Sequence, residues 1–146
     1  IGVAGGFVVC SQVLVDYLVN KARGFIFTTA IPAVNCVAAE AGLDIIENEP
    51  KRRRQLTDNG DYFRQQCKEM GFDTAESMSY IVPVILGEAK KTSAVSDKLF
   101  QQGYMVPAVR PPTVKAGSSR LRVSIMSQHT QDDIDGLCKA IRTLIS

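Results

Sequence analysis

From Ile81 to the end of the chain, apolar residues shift from every second position to every third or fourth and back. This alternation limits the possible folds more than any other feature. Ile81-Val82-Pro83-Val84-Ile85-Leu86 predicts a strand, and Pro83 points to an edge position or irregular pairing because it has no N–H for a ladder. A helix is expected from about Lys90 to Gln102, ending at Gly103, and then a short strand from Met105 to Val109. Arg110-Pro111-Pro112-Thr113 cannot prolong that strand, since paired prolines block it. Leu121-Arg122-Val123-Ser124-Ile125 alternates strictly, as a half-buried strand does. Thr130 caps a last helix, with Asp133 completing an imperfect capping box. Ile134, Leu137, Cys138, Ile141, Leu144 and Ile145 are its apolar stripe. Strand, helix, strand, strand, helix makes an α+β layer.

The stretch before it differs. Phe7-Val8-Val9-Cys10 predicts a short buried strand after Gly5-Gly6. Ser11 caps a helix from Gln12 to about Ala22, with Gly24 as its terminator. Phe25-Ile26-Phe27 is expected to be extended, with Thr28-Thr29 directly after it. Pro32 opens a second helix, Ala33 to Ile46, whose many small residues predict close packing and burial. A third helix, Lys51 to Met70, follows the turn at Glu49-Pro50. It repeats Leu56, Phe63, Cys67 and Met70 at near-heptad spacing and closes at Gly71. Residues before Glu49 are expected to be the edge of a larger domain. A start without Met, inside a glycine-rich stretch, predicts a piece of a longer polypeptide.

With 146 residues, 45% hydrophobic and 22% charged, the chain is of ordinary globular type. Its net charge of +2 is too balanced to imply a nucleic-acid partner. No apolar run approaches the roughly 20 residues that span a bilayer. Lys51-Arg52-Arg53-Arg54 at a helix start is expected to be a solvated face, for no interleaved aromatics offer base stacking. Four cysteines without a C-x-x-C pair, and the single His129, make no zinc set. They predict free thiols in a reducing, cytoplasmic setting. His129, without a nearby nucleophile, is expected to be a structural turn residue.

Three ordered blocks carry a family likeness: Gly2-Val3-Ala4-Gly5-Gly6-Phe7-Val8, then Phe25 through Pro32 with Phe27-Thr28-Thr29 at its centre, then Val109-Arg110-Pro111-Pro112-Thr113-Val114 running on through Gly117-Ser118-Ser119-Arg120-Leu121-Arg122-Val123-Ser124. Together with the closing His129-Thr130-x-x-Asp133-Ile134-Asp135, they resemble the α-oxoamine synthase family of pyridoxal-phosphate enzymes along essentially the whole chain. Arg-Pro-Pro-Thr-Val is similar to the branch that condenses L-alanine with a pimeloyl thioester, giving 8-amino-7-oxononanoate and CO2 in biotin synthesis. Phe27-Thr28-Thr29 is also similar to the 5-aminolevulinate synthase branch. Glycine C-acetyltransferase and serine palmitoyltransferase types are further alternatives, as is a non-enzymatic module that lacks the cofactor lysine.

The resemblance implies the C-terminal part of a fold-type-I transferase, α/β and α+β in class. Residues 1–48 would be the end of the large cofactor-binding domain with a linking helix, and residues 49–146 a small α+β domain. It implies pyridoxal 5′-phosphate as cofactor, its Schiff-base lysine just upstream of Ile1, and a homodimer with the active site at the subunit interface. Thr28 and Thr29 would hold the phosphate of the neighbouring subunit's cofactor. Their residue types suit this, since hydroxyls and free N–H groups near a helix start favour anions, although threonines there also end strands or cap helices. Arg122 matches the family's carboxylate-binding arginine, and a guanidinium grips a carboxylate by two parallel hydrogen bonds. A solvated arginine on an open sheet face is the alternative. Thr113 matches a substrate-contacting position. Arg110 would either approach the acyl-chain carboxylate or support a stiff loop, and both residues could also merely flank prolines that end a strand.

Overall fold

The computed structural model describes residues 2–145. They divide into two compact units, Ile1–Pro50 and Lys51–Ser146.

In the first unit, helix α1 (Gln12–Lys21) begins after Ser11, which makes no side-chain cap. A four-residue helix, α2 (Arg23–Ile26), follows almost at once, and then the longer α3 (Ala33–Asn48). Several expectations fail here. Phe7 to Cys10 forms no strand: among the described residues of this unit no other strand offers it a ladder, and Phe7 and Val9 are 65% and 87% exposed. Phe25 and Ile26 belong to α2 rather than to an extended segment, and Gly24 lies inside that helix instead of ending α1. Helix α3 buries none of its side chains in the described unit.

The second unit follows the predicted order closely. Helix α4 (Pro50–Glu69) directs Phe63 and Cys67 into the core. It stops at Gly71, whose φ of +74° suits glycine. There the Phe72 N–H donates to the Cys67 carbonyl at 2.9 Å and the Gly71 N–H to Lys68 at 3.1 Å, a closing pair of bonds that uses orphan carbonyls. Strand β1 (Ile81–Gly87), helix α5 (Ala89–Gln101), strand β2 (Ala108–Val109), strand β3 (Ser119–Ser124) and helix α6 (Gln131–Ile145) complete the unit. The strand expected over Met105 to Val109 is ordered as a ladder only at its end, although the Arg122 N–H still reaches the Pro107 carbonyl at 2.9 Å.

The sheet is antiparallel in the order β1-β3-β2, so β1, with Pro83, is an edge strand. Val82 faces Val123 and Val84 faces Leu121, and all four are buried. Val95 and Leu99 of α5 and Ile134, Leu137 and Ile141 of α6 belong to the same core. Each such side chain contributes roughly 1.5–3 kcal/mol by leaving water. A slip of register between Ile85 and Gly87 ends β1, and the chain turns into α5. On the outer side of β1, the Ile81 N–H donates to Ser79 Oγ at 3.1 Å and the Ile85 N–H to the Asp73 carbonyl at 2.9 Å.

Candidate functional site

Strand period places the first site residue. Leu121 and Val123 are 0% and 3% exposed, so Arg122 between them points out from the opposite face of β3. It lies across from Pro83, whose ring cannot reach over it as a long side chain could. Among the described residues no carboxylate pairs with its guanidinium. Its two buried neighbours fix the face from which Arg122 leaves the strand, and a guanidinium is a planar donor fork that suits a carboxylate. Arg120 shares this face, half-buried, and its Nε–H donates to the Ser118 carbonyl at 3.0 Å.

Arg110 and Thr113 stand on the connection from β2 to β3. Val109 pairs with Arg120, so this connection springs from the same sheet. Its first turn is closed by the Thr113 N–H donating to the Arg110 carbonyl at 3.0 Å around the cis Pro111–Pro112 bond. Both side chains are exposed.

Thr28 and Thr29 lie in the first unit, between α2 and α3, and follow a helical turn rather than the expected strand. Both are exposed, and the Thr28 hydroxyl makes only a 3.4 Å contact with its neighbour's carbonyl. Helix α3 begins at Pro32 with no side-chain cap and no acidic residue in its first turn. Threonine hydroxyls and the uncapped N–H groups at the positive end of a 16-residue helix are donor types that suit a phosphate group.

The same unit holds a groove of about 600 Å³ that the sequence did not reveal, lined by Val3, Gly5, Phe7, Ile31, Cys36 and Leu43 among others. Asn35 donates to the Ala4 carbonyl at 3.2 Å and pins the glycine-rich segment beside α3. The small residues of α3 pointed to close packing and not to a groove. The Arg120 bond to Ser118 was likewise not legible, because it depends on the path of a loop.

Other candidates fall into structural roles. His129 Nδ1 accepts from the Met126 N–H at 3.2 Å, and the His129 carbonyl accepts from Asn59 at 2.8 Å, so the residue shapes a turn. The Cys67 thiol, hydrogen-bonded to Cys138 and buried, is pushed well above the ordinary thiol range and stays protonated. Lys51 to Arg54 are exposed on the first turns of α4. Among the described residues no group of three or more His, Cys, Asp or Glu is placed to hold a metal, and no helix is long and apolar enough to cross a membrane.

A model of the family "Aminotransferase class I and II" matches residues 1–141. The 8-amino-7-oxononanoate synthase of Lysinibacillus sphaericus is 42% identical over 144 residues, covering 99% of this chain and 37% of that protein. The chain thus spans little more than a third of the length of the curated relatives it matches. A structure of SPT (serine palmitoyltransferase) with PLP superposes with a TM-score of 0.88 at 28% identity, covering 98% of this chain and 36% of that one. The 8-amino-7-oxononanoate synthase structure from Francisella tularensis gives a TM-score of 0.76 at 29% identity, covering 91% of this chain and 39% of that one. The chain belongs to the aminotransferase class I and II family and has the fold of the C-terminal part of fold-type-I PLP-dependent transferases.

Proposed function

We propose that the protein carrying this chain is a pyridoxal-phosphate-dependent acyltransferase that condenses L-alanine with a pimeloyl thioester, releasing CO2 and giving 8-amino-7-oxononanoate. Residues 1–48 close its large domain and residues 49–146 are its small domain. It works as a cytoplasmic homodimer with the active site between subunits, in a reducing setting where the four free cysteines remain thiols. The observation that carries the reading is Arg122: a strand-held, exposed guanidinium without an acidic partner among the described residues, in a chain 42% identical to a synthase of that name.

Pyridoxal phosphate, when bound, supplies an electron sink for a carbanion beside the amino-acid nitrogen. The chain's own residues bind and orient. Thr28, Thr29 and the uncapped N–H groups of α3 hold the phosphate of the cofactor in the neighbouring subunit. Arg122 takes the alanine carboxylate by two parallel hydrogen bonds, which fix its distance and its angle. Thr113 contacts substrate from the β2–β3 loop. Arg110, on the same loop, faces the acyl chain's terminal carboxylate.

The test is turnover by the complete protein with pimeloyl-coenzyme A and L-alanine, glycine or L-serine. Activity confined to alanine supports the assignment, and its absence with alanine sinks it. Arg122→Ala should raise the amino-acid KM and cut turnover, together about 2–5 kcal/mol if the ion pair is desolvated. Unchanged kinetics would remove its assigned role. The TM-score of 0.88 to SPT favours one second reading, a synthase that uses serine and a longer thioester, which an added arm with L-serine and palmitoyl-coenzyme A detects.

A further inference from the structure

Arg120 reaches both ends of the β2–β3 loop. Its backbone pairs with Val109, immediately before Arg110, and its side-chain Nε–H donates to the carbonyl of Ser118, the loop's last residue, at 3.0 Å. The loop's far half is already tightly turned. The N–H and hydroxyl of Ser118 both donate to the Lys115 carbonyl, at 3.1 and 2.7 Å, and Gly117 between them has a φ of +80°. Gly87, at the end of β1, lies so close that a Cβ there would meet the Gly117 carbonyl at 3.5 Å. The turn therefore approaches the sheet at Gly87, and the Arg120 guanidinium ties its last residue to β3. Arg120 also shares a sheet face with Arg122, two residues on, a spacing of about 7 Å along a strand. Its Nε–H is committed to the loop, and it is half-buried where Arg122 is exposed. Two neighbouring arginines are thus divided between holding the loop and meeting solvent.

We propose that Arg120 is a positioning residue of the substrate site: by hydrogen-bonding the Ser118 carbonyl it locks the 110–118 loop and so fixes Arg110 and Thr113 for the acyl donor. The substrate half of this statement rests on the proposed synthase activity, whereas the loop-locking half does not. Losing a hydrogen bond from a charged donor loosens the loop by about tenfold or more in its open population. Arg110 precedes a proline and resists trypsin, so Lys115 reports opening within this loop, and Lys98 in α5 serves as an internal reference.

The experiment compares the complete wild-type protein with Arg120→Ala and Arg120→Lys, by limited trypsin digestion and by kinetics with pimeloyl-coenzyme A. In Arg120→Ala, cleavage after Lys115 should rise about tenfold relative to cleavage after Lys98, and the thioester KM should rise by a similar factor, with the amino-acid KM within about twofold of wild type. Arg120→Lys keeps a cationic donor and should recover most of both. Unchanged cleavage after Lys115, an equal rise after Lys98, or a lysine variant no better than alanine overturns the locking role. Equal rises in both KM values overturn the link to the acyl donor. If the wild-type protein does not turn over pimeloyl-coenzyme A, the proposed activity falls, and the digestion alone then decides whether Arg120 locks the loop.

Discussion

The two units contain the same kinds of apolar residue and use them in opposite ways. In Lys51–Ser146, Phe63 is 0% exposed, and each of the three helices α4, α5 and α6 places buried side chains in one shared core. In Ile1–Pro50, Phe27 is 77% exposed, and α1, α2 and α3 bury no side chain at all. The difference is in what each pattern faces. In the second unit the stripes of α5 and α6 oppose the alternating valines and leucine of β1 and β3. Among its described residues the first unit has helices but no sheet to receive them. An apolar stripe states that burial is wanted, and an opposing surface is needed to supply it.

The strongest way to break this contrast is a paired truncation. In the chain of 146 residues, Phe63→Ala should lower unfolding free energy by about 3–5 kcal/mol, and Phe27→Ala should change it by no more than about 0.5 kcal/mol. Urea denaturation followed by circular dichroism measures both, and similar losses would erase the distinction. A glycine pair sharpens it at smaller scale. Gly71→Ala forces a side chain into the left-handed region and should cost about 1–2 kcal/mol. Gly24→Ala, in α2 with open space around a Cβ, should leave the same urea transition unmoved.

A weaker effect should appear with pH. The Asp133 carboxylate accepts from the Thr130 N–H at 2.8 Å and from its hydroxyl at 2.7 Å, and these bonds hold its pKa below the usual carboxylate range. A group whose folded pKa is depressed adds stability that is complete above its unfolded value and fades as pH falls through the folded one. Asp133→Asn should therefore be less stable than wild type near neutrality, with the gap closing in acid. A gap constant with pH would contradict this. Smallest on stability but large on function, changing Thr28 and Thr29 together to Val should leave unfolding unaltered while the complete protein loses its cofactor absorbance on dialysis. A retained chromophore would count against their phosphate role.

The sequence was most legible where a pattern was long and its partner lay in the same unit. The stripe from Ile134 to Ile145, the alternation around Arg122 and the glycine stop at Gly71 each appear at the expected place. The Thr130–Asp133 pair forms a reciprocal cap, since the Asp133 N–H also donates back to Thr130 Oγ1 at 3.2 Å. Short apolar runs misled. Phe7 to Cys10 and Phe25 to Phe27 have strand composition, but three or four residues become a strand only when another backbone pairs with them. The outward direction of Arg122 followed from period alone. The tie from Arg120 to Ser118 and the groove beside α3 could not be foreseen, because both depend on tertiary placement of glycine-containing segments whose composition permits many paths.

Pro83 has a consequence beyond marking an edge. The outward-pointing positions of β1 are Ile81, Pro83 and Ile85: the first donates to Ser79, the last to Asp73, and the proline has no hydrogen to offer. The Ile81 carbonyl is likewise occupied, by the hydroxyls of Ser77 and Ser79. A stray extended peptide therefore finds no row of donors on which to template itself, and the sheet resists recruitment into fibrils along the margin where it would otherwise be most vulnerable.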